Sequence, residues 1–313
     1  SAYSPFGSNP EQAFERQKMV LTRMLELNYI NFNQYNEALA QQLTFAPPQT
    51  DIRAPHFVMY TRSQLESKLP TSILYQGGLQ ITSSLDYQIQ SKAEQILQSE
   101  IDKLRQLNVT NGAILVTKPK TGEILAMVGS VNYFDSVHQG NVNATIALRQ
   151  PGSSIKPLTY ATALSQSASN QNSTFTAASY IADAPVSFRI AGSPDYKPRN
   201  YDGKFHGMVS LRTALASSYN IPAVKILDAI GVNKLLDFGE KLGITTWTQP
   251  ERYGLSITLG GAEVRMTDLA VVYGTFANMG YKQPLKEILA IKGIDLENSN
   301  LQSPFTPTPV LDP

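Results

Sequence analysis

The most restrictive part of the sequence is a helical pattern followed by two apolar runs. Residues 86–107 place apolar side chains on one face at helical spacing. Residues 112–117 and 123–129 are apolar runs of strand length, and Lys118-Pro-Lys-Thr-Gly122 between them has the composition of a turn. This pattern predicts a helix followed by an antiparallel hairpin, which favours an α+β domain.

Helical spacing recurs on both sides of this hairpin. It predicts helices over residues 10–28, 33–42, 54–69, 150–163, 210–217, 221–229, 232–242 and 265–278. Further strands are predicted near residues 79–85 and 286–294, and the polar stretch 165–179 is interpreted as either a loop or a mobile surface segment. The order of elements predicts an antiparallel sheet flanked by a helical cluster.

Composition excludes several classes of function. The chain has 313 residues, with 26 basic and 25 acidic side chains, three histidines and no cysteine, and a pI near 7.8. A balanced charge does not provide the basic surface of a nucleic-acid binder. The absence of cysteine rules out disulfides and thiol catalysis, and the histidines are not at metal-ligand spacing, so we expect no metal site.

The sequence contains no apolar run of the roughly 18 residues that would span a bilayer. Its first residues also lack the basic and apolar regions of a signal peptide. The chain is therefore either cytoplasmic or a piece of a longer protein. The Pro-rich stretch 304–313, which has no closing element, favours the second interpretation.

Ser153 and Lys156 form the most informative pair in the sequence. Residues three apart on a helix share a face, with Cβ atoms about 5–6 Å apart. Pro151 and Gly152 place Ser153 at the start of a predicted helix, where free amide groups favour negative charge. A desolvated lysine has a lowered pKa and can accept a hydroxyl proton. In an arbitrary chain, the commoner interpretation is a capping serine and a solvated lysine.

Four sequence blocks accompany this pair in a specific order. They are residues 118–129 (KPKTGEILAMVG), 149–157 (RQPGSSIKP), 198–202 (PRNYD) with 207–224, and 259–270 with 273–280. In this order the blocks resemble the first hairpin, the nucleophile helix, the second-motif region and a downstream helix of one family. That family is the transpeptidase domain of bifunctional (class A) penicillin-binding proteins.

The resemblance implies the α+β fold of serine β-lactamases and penicillin-binding proteins, and a peptidoglycan D,D-transpeptidase. It implies that Ser153 attacks the penultimate D-Ala carbonyl of a stem peptide, while Lys156 takes its proton. An amine of a neighbouring stem peptide then completes the crosslink. β-Lactams would acylate the same serine, and no cofactor is needed. The parent protein would be membrane-anchored, on the extracytoplasmic face of the cell envelope.

Two triplets match the family's second motif, SxN. Ser130-Val-Asn132 precedes the nucleophile, whereas Ser218-Tyr-Asn220 follows it, as the family requires. The resemblance implies that Ser218 relays a proton to the leaving amine and that Asn220 binds the substrate's peptide chain. Because positions i and i+2 do not face one way on a helix, we expect residues 218–220 to form a loop, broken before Pro222. Taken alone, the triplet is more often a helix C-cap.

The third family motif, KTG, has only one match in letters. Lys120-Thr-Gly122 lies before the nucleophile, inside the predicted turn, so we reject it. No second KTG occurs before Pro313. We therefore expect the substrate-binding strand to belong to a remaining C-terminal part of the same protein, and this chain alone to be inactive or nearly so.

The beginning of the chain resembles a different domain. Residues 1–44 are similar to the end of the glycosyltransferase domain that precedes the transpeptidase in these proteins. Residues 46–55 contain three prolines and no periodicity, which indicates a linker. The predicted division is a glycosyltransferase remnant at 1–44, a linker region at 45–85 and the N-terminal part of the transpeptidase at 86–313.

Two alternatives stay open at this point. A serine β-lactamase shares SxxK and SxN but needs a second base, usually in an ExxLN-like loop, and none occurs between Asn220 and Pro313. A non-catalytic scaffold or β-lactam sensor would also fit, since the third motif is missing from the chain. The intact Ser153, Lys156, Ser218 and Asn220 argue against that second alternative.

Overall fold

The chain forms two compact units, residues 1–52 and residues 53–313. The structure, a computed structural model, describes residues 11–41, 52–169, 175–190, 192–293 and 307–311. Within these ranges no helix combines the length and apolar character needed to cross a membrane.

Within residues 11–41, the first unit forms two helices, α1 (Glu11–Glu26) and α2 (Phe32–Ala40). Both were predicted from helical spacing, but α2 begins earlier than the predicted Asn33. Asn31 is the reason: its side chain accepts a hydrogen bond from the Gln34 backbone, and the Gln34 side chain accepts one from the Asn31 backbone. This reciprocal pair is a capping box, which fixes where a helix starts.

The second unit alternates helices and short strands. In chain order they are α3 (Pro55–Lys68), α4 (Thr71–Gln76), β1 (Gln80–Ser83), α5 (Tyr87–Leu104), β2 (Ile114–Thr117), β3 (Ile124–Val128), α6 (Lys156–Ser169), β4 (Tyr180–Asp183), β5 (Phe188–Ile190), β6 (Ser193–Tyr196), β7 (Gly207–Ser210), α7 (Leu211–Ala216), α8 (Asn220–Ile230), α9 (Val232–Leu242), α10 (Met266–Ala277), β8 (Tyr281–Lys282), β9 (Ile288–Lys292) and β10 (Thr308–Pro309).

The strands of the described ranges pair two by two, and every pair is antiparallel. The pairs are β1 with β9, β2 with β3, β4 with β7, β5 with β6, and β8 with β10. A parallel bridge between Glu123 and Lys286 connects the start of β3 to the chain that leads into β9. The α+β prediction is confirmed, with helices packed around antiparallel strands.

The predicted helix and hairpin of residues 86–129 are present as α5, β2 and β3. Asp86 caps α5, because its side chain accepts hydrogen bonds from the backbones of Gln88 and Ile89. The apolar face of α5 packs against β3 through side chains of Ala93, Leu97, Ile101, Ala126 and Val128. Ile124 and Met127 of β3 belong to a second buried cluster, so the strand is covered on both faces, as its continuous apolar run indicates.

The main core lies among the helices of the second unit. α8 is apolar around most of its circumference, and seven of its residues are buried, which places it at the centre. Its neighbours α6, α9 and α10 contribute Leu158, Leu235 and Val272 to the same core. This helical cluster supports the start of α6 and the start of α8, where the candidate site lies.

Two expectations about local structure were wrong. α6 continues to Ser169, into the stretch 165–179 that was interpreted as a loop or a mobile surface segment; residues 158–169 contain neither Gly nor Pro that would end it. The predicted helix at 150–163 is also not α-helical at its start. Residues Gly152–Ile155 form a 3-10 turn, and α6 begins only at Lys156.

The predicted domain boundaries stay predictions. The division between residues 44 and 45 lies in 42–51, outside the described residues. The stretch interpreted as a linker region carries α3, α4 and β1, and β1 pairs with β9 in the second unit. The helix expected at 54–69 and the strand expected at 79–85 are both confirmed.

Candidate active site

Ser153 lies on the 3-10 turn that leads into α6. Three residues complete one turn of a 3-10 helix, so the side chains of Ser153 and Lys156 are eclipsed on one side of it. The turn has a local cause. In an α-helix the Ser153 carbonyl would accept a hydrogen bond from the N–H of residue 157, but residue 157 is a proline and has no N–H. The Ser153 carbonyl therefore accepts its hydrogen bond from the Lys156 N–H. Ser153 is exposed, whereas the Lys156 side chain is directed inward and is only 1% exposed.

Three oxygen atoms surround Nζ of Lys156. They are the Ser218 carbonyl oxygen at 2.5 Å, Oδ1 of Asn220 at 2.7 Å and Oγ of Ser218 at 3.1 Å. These atoms come from residues 62 and 64 positions later in the chain. The structure thus brings together Lys156, Ser218 and Asn220, three of the residues singled out in the sequence, next to the turn that carries Ser153.

Burial lowers the pKa of Lys156 from 10.5 to about 8, because an ammonium group loses hydration energy inside the protein. A neutral amine has two N–H donors and one lone pair. Two of the surrounding atoms, the Ser218 carbonyl and Asn220 Oδ1, can only accept hydrogen bonds and so take both donors. As an ammonium group, Nζ donates to all three oxygen atoms, including Oγ of Ser218. Loss of one proton leaves a lone pair that can accept a hydroxyl proton.

The Ser218–Asn220 segment is not the simple loop that was predicted. Ser218 adopts a left-handed conformation with φ +55°, Tyr219 precedes the helix, and Asn220 is already the first residue of α8. The predicted break before Pro222 is wrong, because Pro222 lies in the first turn of α8, where its missing N–H has no partner to lose. The bend at Ser218 lets Ser218 and Asn220 face the same amine.

The Asn220 side chain has a defined orientation. Its Nδ2 donates to the Arg199 carbonyl oxygen over 2.8 Å, so its Oδ1 is turned towards Lys156. Two further residues of the neighbourhood were missed by the sequence reasoning, Asp183 and His206. The His206 ring stacks on Tyr219 with centroids 4.0 Å apart, and its Nδ1 lies 2.6 Å from Oδ2 of Asp183. Neither residue has a sequence spacing that would have identified it.

The turn that carries Ser153 is supported from behind by the segment 258–273. The backbones of Arg149 and Val264 exchange two hydrogen bonds, of 3.0 and 2.9 Å, and the Tyr273 hydroxyl donates to the Ser154 carbonyl over 2.8 Å. Gly260 lies directly against the backbone of Gly152. The fourth sequence block therefore shapes the site without supplying a reactive group.

The two rejected motif matches have structural uses elsewhere. Ser130 is buried, and its Oγ donates to the Gly140 carbonyl over 2.6 Å and lies 2.8 Å from Nε2 of His56. Gly122 has φ +74° in the turn between β2 and β3. Its carbonyl accepts a hydrogen bond from Lys286 N over 2.8 Å. The side chains of His56 and Ser130 and the backbone of Gly122 thus hold the fold, in agreement with the rejection of both motif matches.

The described ranges contain no group of three His, Asp or Glu side chains that could hold a metal ion. The candidate site consists instead of an exposed hydroxyl, a buried amine of lowered pKa, a second hydroxyl and an amide. A hydroxyl with a neighbouring neutral amine is the arrangement of a serine nucleophile with a lysine base.

Comparisons with known proteins identify the family of the chain. The chain is 33% identical over 302 residues to penicillin-binding protein 1B of Haemophilus influenzae. This alignment covers 93% of the chain and 36% of the relative. The chain therefore spans about a third of this relative's length.

Two solved structures share the fold. The crystal structure of penicillin-binding protein 1A from Haemophilus influenzae aligns with a TM-score of 0.64 and 20% identity, over 93% of this chain and 56% of that one. PonA1 from Mycobacterium tuberculosis, in complex with penicillin V, aligns with a TM-score of 0.63 and 20% identity, over 80% of this chain and 68% of that one. The family described as penicillin-binding protein transpeptidase domain matches residues 112–307. The chain belongs to this family of penicillin-binding protein transpeptidase domains.

Proposed function

We propose that the chain carries the acyl-transfer site of a peptidoglycan D,D-transpeptidase, with Ser153 as nucleophile. The observation that carries this proposal is the buried Lys156, whose amine has a pKa lowered to about 8 and lies beside Ser218 and Asn220, next to the turn that carries the exposed Ser153. Family membership supports it, and the relatives' names describe proteins that bind penicillin.

In the first step, Oγ of Ser153 forms a bond to the carbonyl carbon of the penultimate D-Ala of a stem peptide. Nζ of Lys156 takes the hydroxyl proton. The C–N bond to the terminal D-Ala then breaks, and the proton passes through the Ser218 hydroxyl to the leaving nitrogen. The hydrogen bond of 3.1 Å from Nζ of Lys156 to Oγ of Ser218 supports this relay, because a proton can pass along it to the Ser218 hydroxyl.

In the second step, an amine of a neighbouring stem peptide attacks the acyl-enzyme ester. Nζ of Lys156, neutral again after the first step, takes a proton from the attacking amine. A new amide bond forms, the C–O bond to Ser153 breaks, and the proton passes from Lys156 to the Ser153 oxygen. β-Lactams present a strained amide to the same serine and remain attached as esters. The second hydrogen of Asn220 Nδ2 is available to a substrate carbonyl, since the first is donated to Arg199.

The proposal extends to the organisation of the whole protein. Residues 1–44 would be the end of a glycosyltransferase domain, and the transpeptidase would continue beyond Pro313 with its KTG strand. The protein would act in the cell envelope on the extracytoplasmic face of the membrane, to which its parent chain is anchored. The relatives' greater length supports this organisation, since the chain spans 36% of the Haemophilus influenzae protein.

The test is intact-mass analysis of the full-length protein after incubation with a fluorescent penicillin. We expect one adduct per molecule, located on Ser153 by peptide mapping, and no adduct with Ser153→Ala. The matched control Ser154→Ala changes the neighbouring serine, whose Oγ bonds only within the turn, to the Pro151 carbonyl, and should still be labelled. An unlabelled wild type would favour a scaffold, and rapid repeated turnover of nitrocefin would favour a β-lactamase.

A further inference from the structure

α8 begins without a cap from its own neighbourhood. The first N–H groups of a helix have no acceptor within the helix, and Tyr219, at the position of the cap, makes no side-chain hydrogen bond to them. Asn200, from a distant segment, fills this role. Its Oδ1 accepts from the backbone N–H groups of Asn220 at 2.8 Å and Ile221 at 3.3 Å. Asn200 thus caps α8 from outside.

Asn200 is itself held in one orientation. Its Nδ2 donates to both carboxylate oxygens of Asp183, over 2.9 and 2.8 Å, and to the Lys204 carbonyl over 2.9 Å. Asp183 is 0% exposed and Asn200 is 6% exposed. Because the amide hydrogens are committed to these acceptors, the amide cannot turn over, and its oxygen must face α8. The buried Asp183 carboxylate therefore orients the Asn200 amide so that its Oδ1, and not its Nδ2, faces the start of α8.

The Asp183 carboxylate also holds Tyr219, in the middle of the Ser218–Asn220 segment, through His206. Oδ2 of Asp183 accepts from the His206 backbone over 3.0 Å and lies 2.6 Å from Nδ1 of the His206 ring. That ring stacks on Tyr219, the residue between Ser218 and Asn220. One buried group thus holds Asn220 through Asn200 and holds Tyr219 through His206.

These contacts converge on the reactive amine. The Asn220 backbone is held by Asn200, and its Nδ2 by the carbonyl of Arg199, so its Oδ1 is directed at Nζ of Lys156. We propose that Asn200 and Asp183 are positioning residues that set the Ser218–Asn220 segment against Lys156. This inference rests on the proposed function for its catalytic consequence, but its structural part can be tested separately.

The first test exchanges donor and acceptor. Asn200→Asp keeps the acceptor for α8 but sets a carboxylate against Asp183, and we expect the second-order rate constant for penicillin acylation to fall about 30-fold. Asp183→Asn alone should also slow acylation. In the double variant Asp183→Asn/Asn200→Asp an amide donor again faces a carboxylate. Its acylation rate constant should therefore be about tenfold higher than that of Asn200→Asp.

The matched control is Asn132→Asp, at an exposed asparagine of the rejected motif whose Oδ1 accepts from Phe134 N; its acylation should equal that of wild type. In all variants, the labelled fraction at saturation should stay near one adduct per molecule. Wild-type rates in Asn200→Asp, or no recovery in the double variant, would overturn the proposal. A lower labelled fraction with an unchanged rate constant would show a folding role instead, and would overturn it too.

The second test does not depend on acylation. In Asn200→Ala, hydrogen exchange of the Asn220 and Ile221 amides should accelerate about tenfold or more, while the amide of Leu227, inside the same helix, should keep its rate. Unchanged exchange at Asn220 and Ile221, or equal acceleration at Leu227, would contradict a local positioning role. If the wild type formed no adduct, the proposed function would fail, and the exchange rates would still decide this inference.

Discussion

Gly260 lies against Gly152 with no space for a side chain: a β-carbon on Gly260 would overlap the nitrogen and the α-carbon of Gly152. Gly260 also has φ +86°, a conformation that other residues adopt only with strain. The nucleophile turn is therefore pressed against a backbone that only glycine can form. The contact requires glycine at position 260, whereas Gly152 has open space around it and is favoured by its φ of +57°.

Gly260→Ala should destabilise the fold by about 2 kcal/mol or more and slow the acylation of Ser153, because the turn must move away from the new methyl group. Urea unfolding and penicillin labelling measure the two effects. Gly254→Ala is the control, since Gly254 has φ −119° and open space where its β-carbon would be. Equal unfolding free energies for the two variants would contradict the close contact.

Acylation should depend on pH through Lys156. The pKa of its amine is lowered to about 8 by burial, and only the neutral amine can take the Ser153 proton. The acylation rate constant should therefore rise about tenfold per pH unit below pH 7 and level off above about pH 8. Stopped-flow labelling from pH 6 to 9, corrected for hydrolysis of the free penicillin, measures it. A flat profile would exclude Lys156 as the base.

Lys156→Met keeps an unbranched side chain in the buried position but removes the amine. We expect the acylation rate constant to fall by about 1,000-fold, within the range of general-base catalysis, while the protein remains folded by circular dichroism. Lys225→Met is a matched control, since the Lys225 amine donates instead to the Ala182 carbonyl over 2.7 Å. If Lys156→Met were labelled as fast as wild type, another group would have to accept the proton.

A pair of hydroxyls connects α6 to the segment behind it. Oγ1 of Thr159 and Oγ1 of Thr258 lie 2.8 Å apart, and both residues are fully buried. Thr258→Val should cost about 1 kcal/mol, because it leaves the other hydroxyl without this partner, whereas Thr159→Val/Thr258→Val should recover most of the loss. Urea unfolding of the two single variants and the double variant tests this. Strictly additive losses would show that the hydroxyls do not interact.

His56 should make the fold sensitive to acid. Burial lowers its pKa below 6.5, so below that pH the unfolded chain binds a proton that the folded chain resists. The free energy of unfolding should then decrease as the pH falls below 6.5, and His56→Gln should reduce this decrease. The control is His138→Gln, at an exposed histidine. Its free energy of unfolding should decrease with falling pH as in the wild type. Identical pH dependence in wild type and His56→Gln would contradict the prediction.

Part of this architecture was predictable from sequence. Helix α5 and the hairpin of β2 and β3 follow from period and turn residues, and the SxxK spacing identified Ser153 and Lys156 as a pair. The order of the two SxN triplets selected Ser218 over Ser130. The roles of these residues in catalysis remain predictions, although the structure brings Lys156, Ser218 and Asn220 within hydrogen-bond distance.

The rest depends on contacts that no local pattern records. β6 has the sequence Ser-Pro-Asp-Tyr, which contradicts strand propensity, and it forms because β5 pairs with it. The 3-10 turn before α6 does have a local cause, the missing N–H of Pro157 next to the motif, but the SxxK spacing alone fits an α-helical turn equally well. The capping of α8 by Asn200 joins residues 20 positions apart, so no periodicity could have indicated it.

The partners of the Lys156 amine lie 62 and 64 residues further along the chain, which links reactivity to the completion of folding. A compact intermediate that has formed α6 and α8 but has not docked them leaves this amine in water, where its pKa returns to about 10.5 and the neutral form is much rarer than in the folded protein. Under the proposed function, acylation of Ser153 therefore requires that these two helices are docked, and a molecule with incomplete tertiary structure would not be acylated.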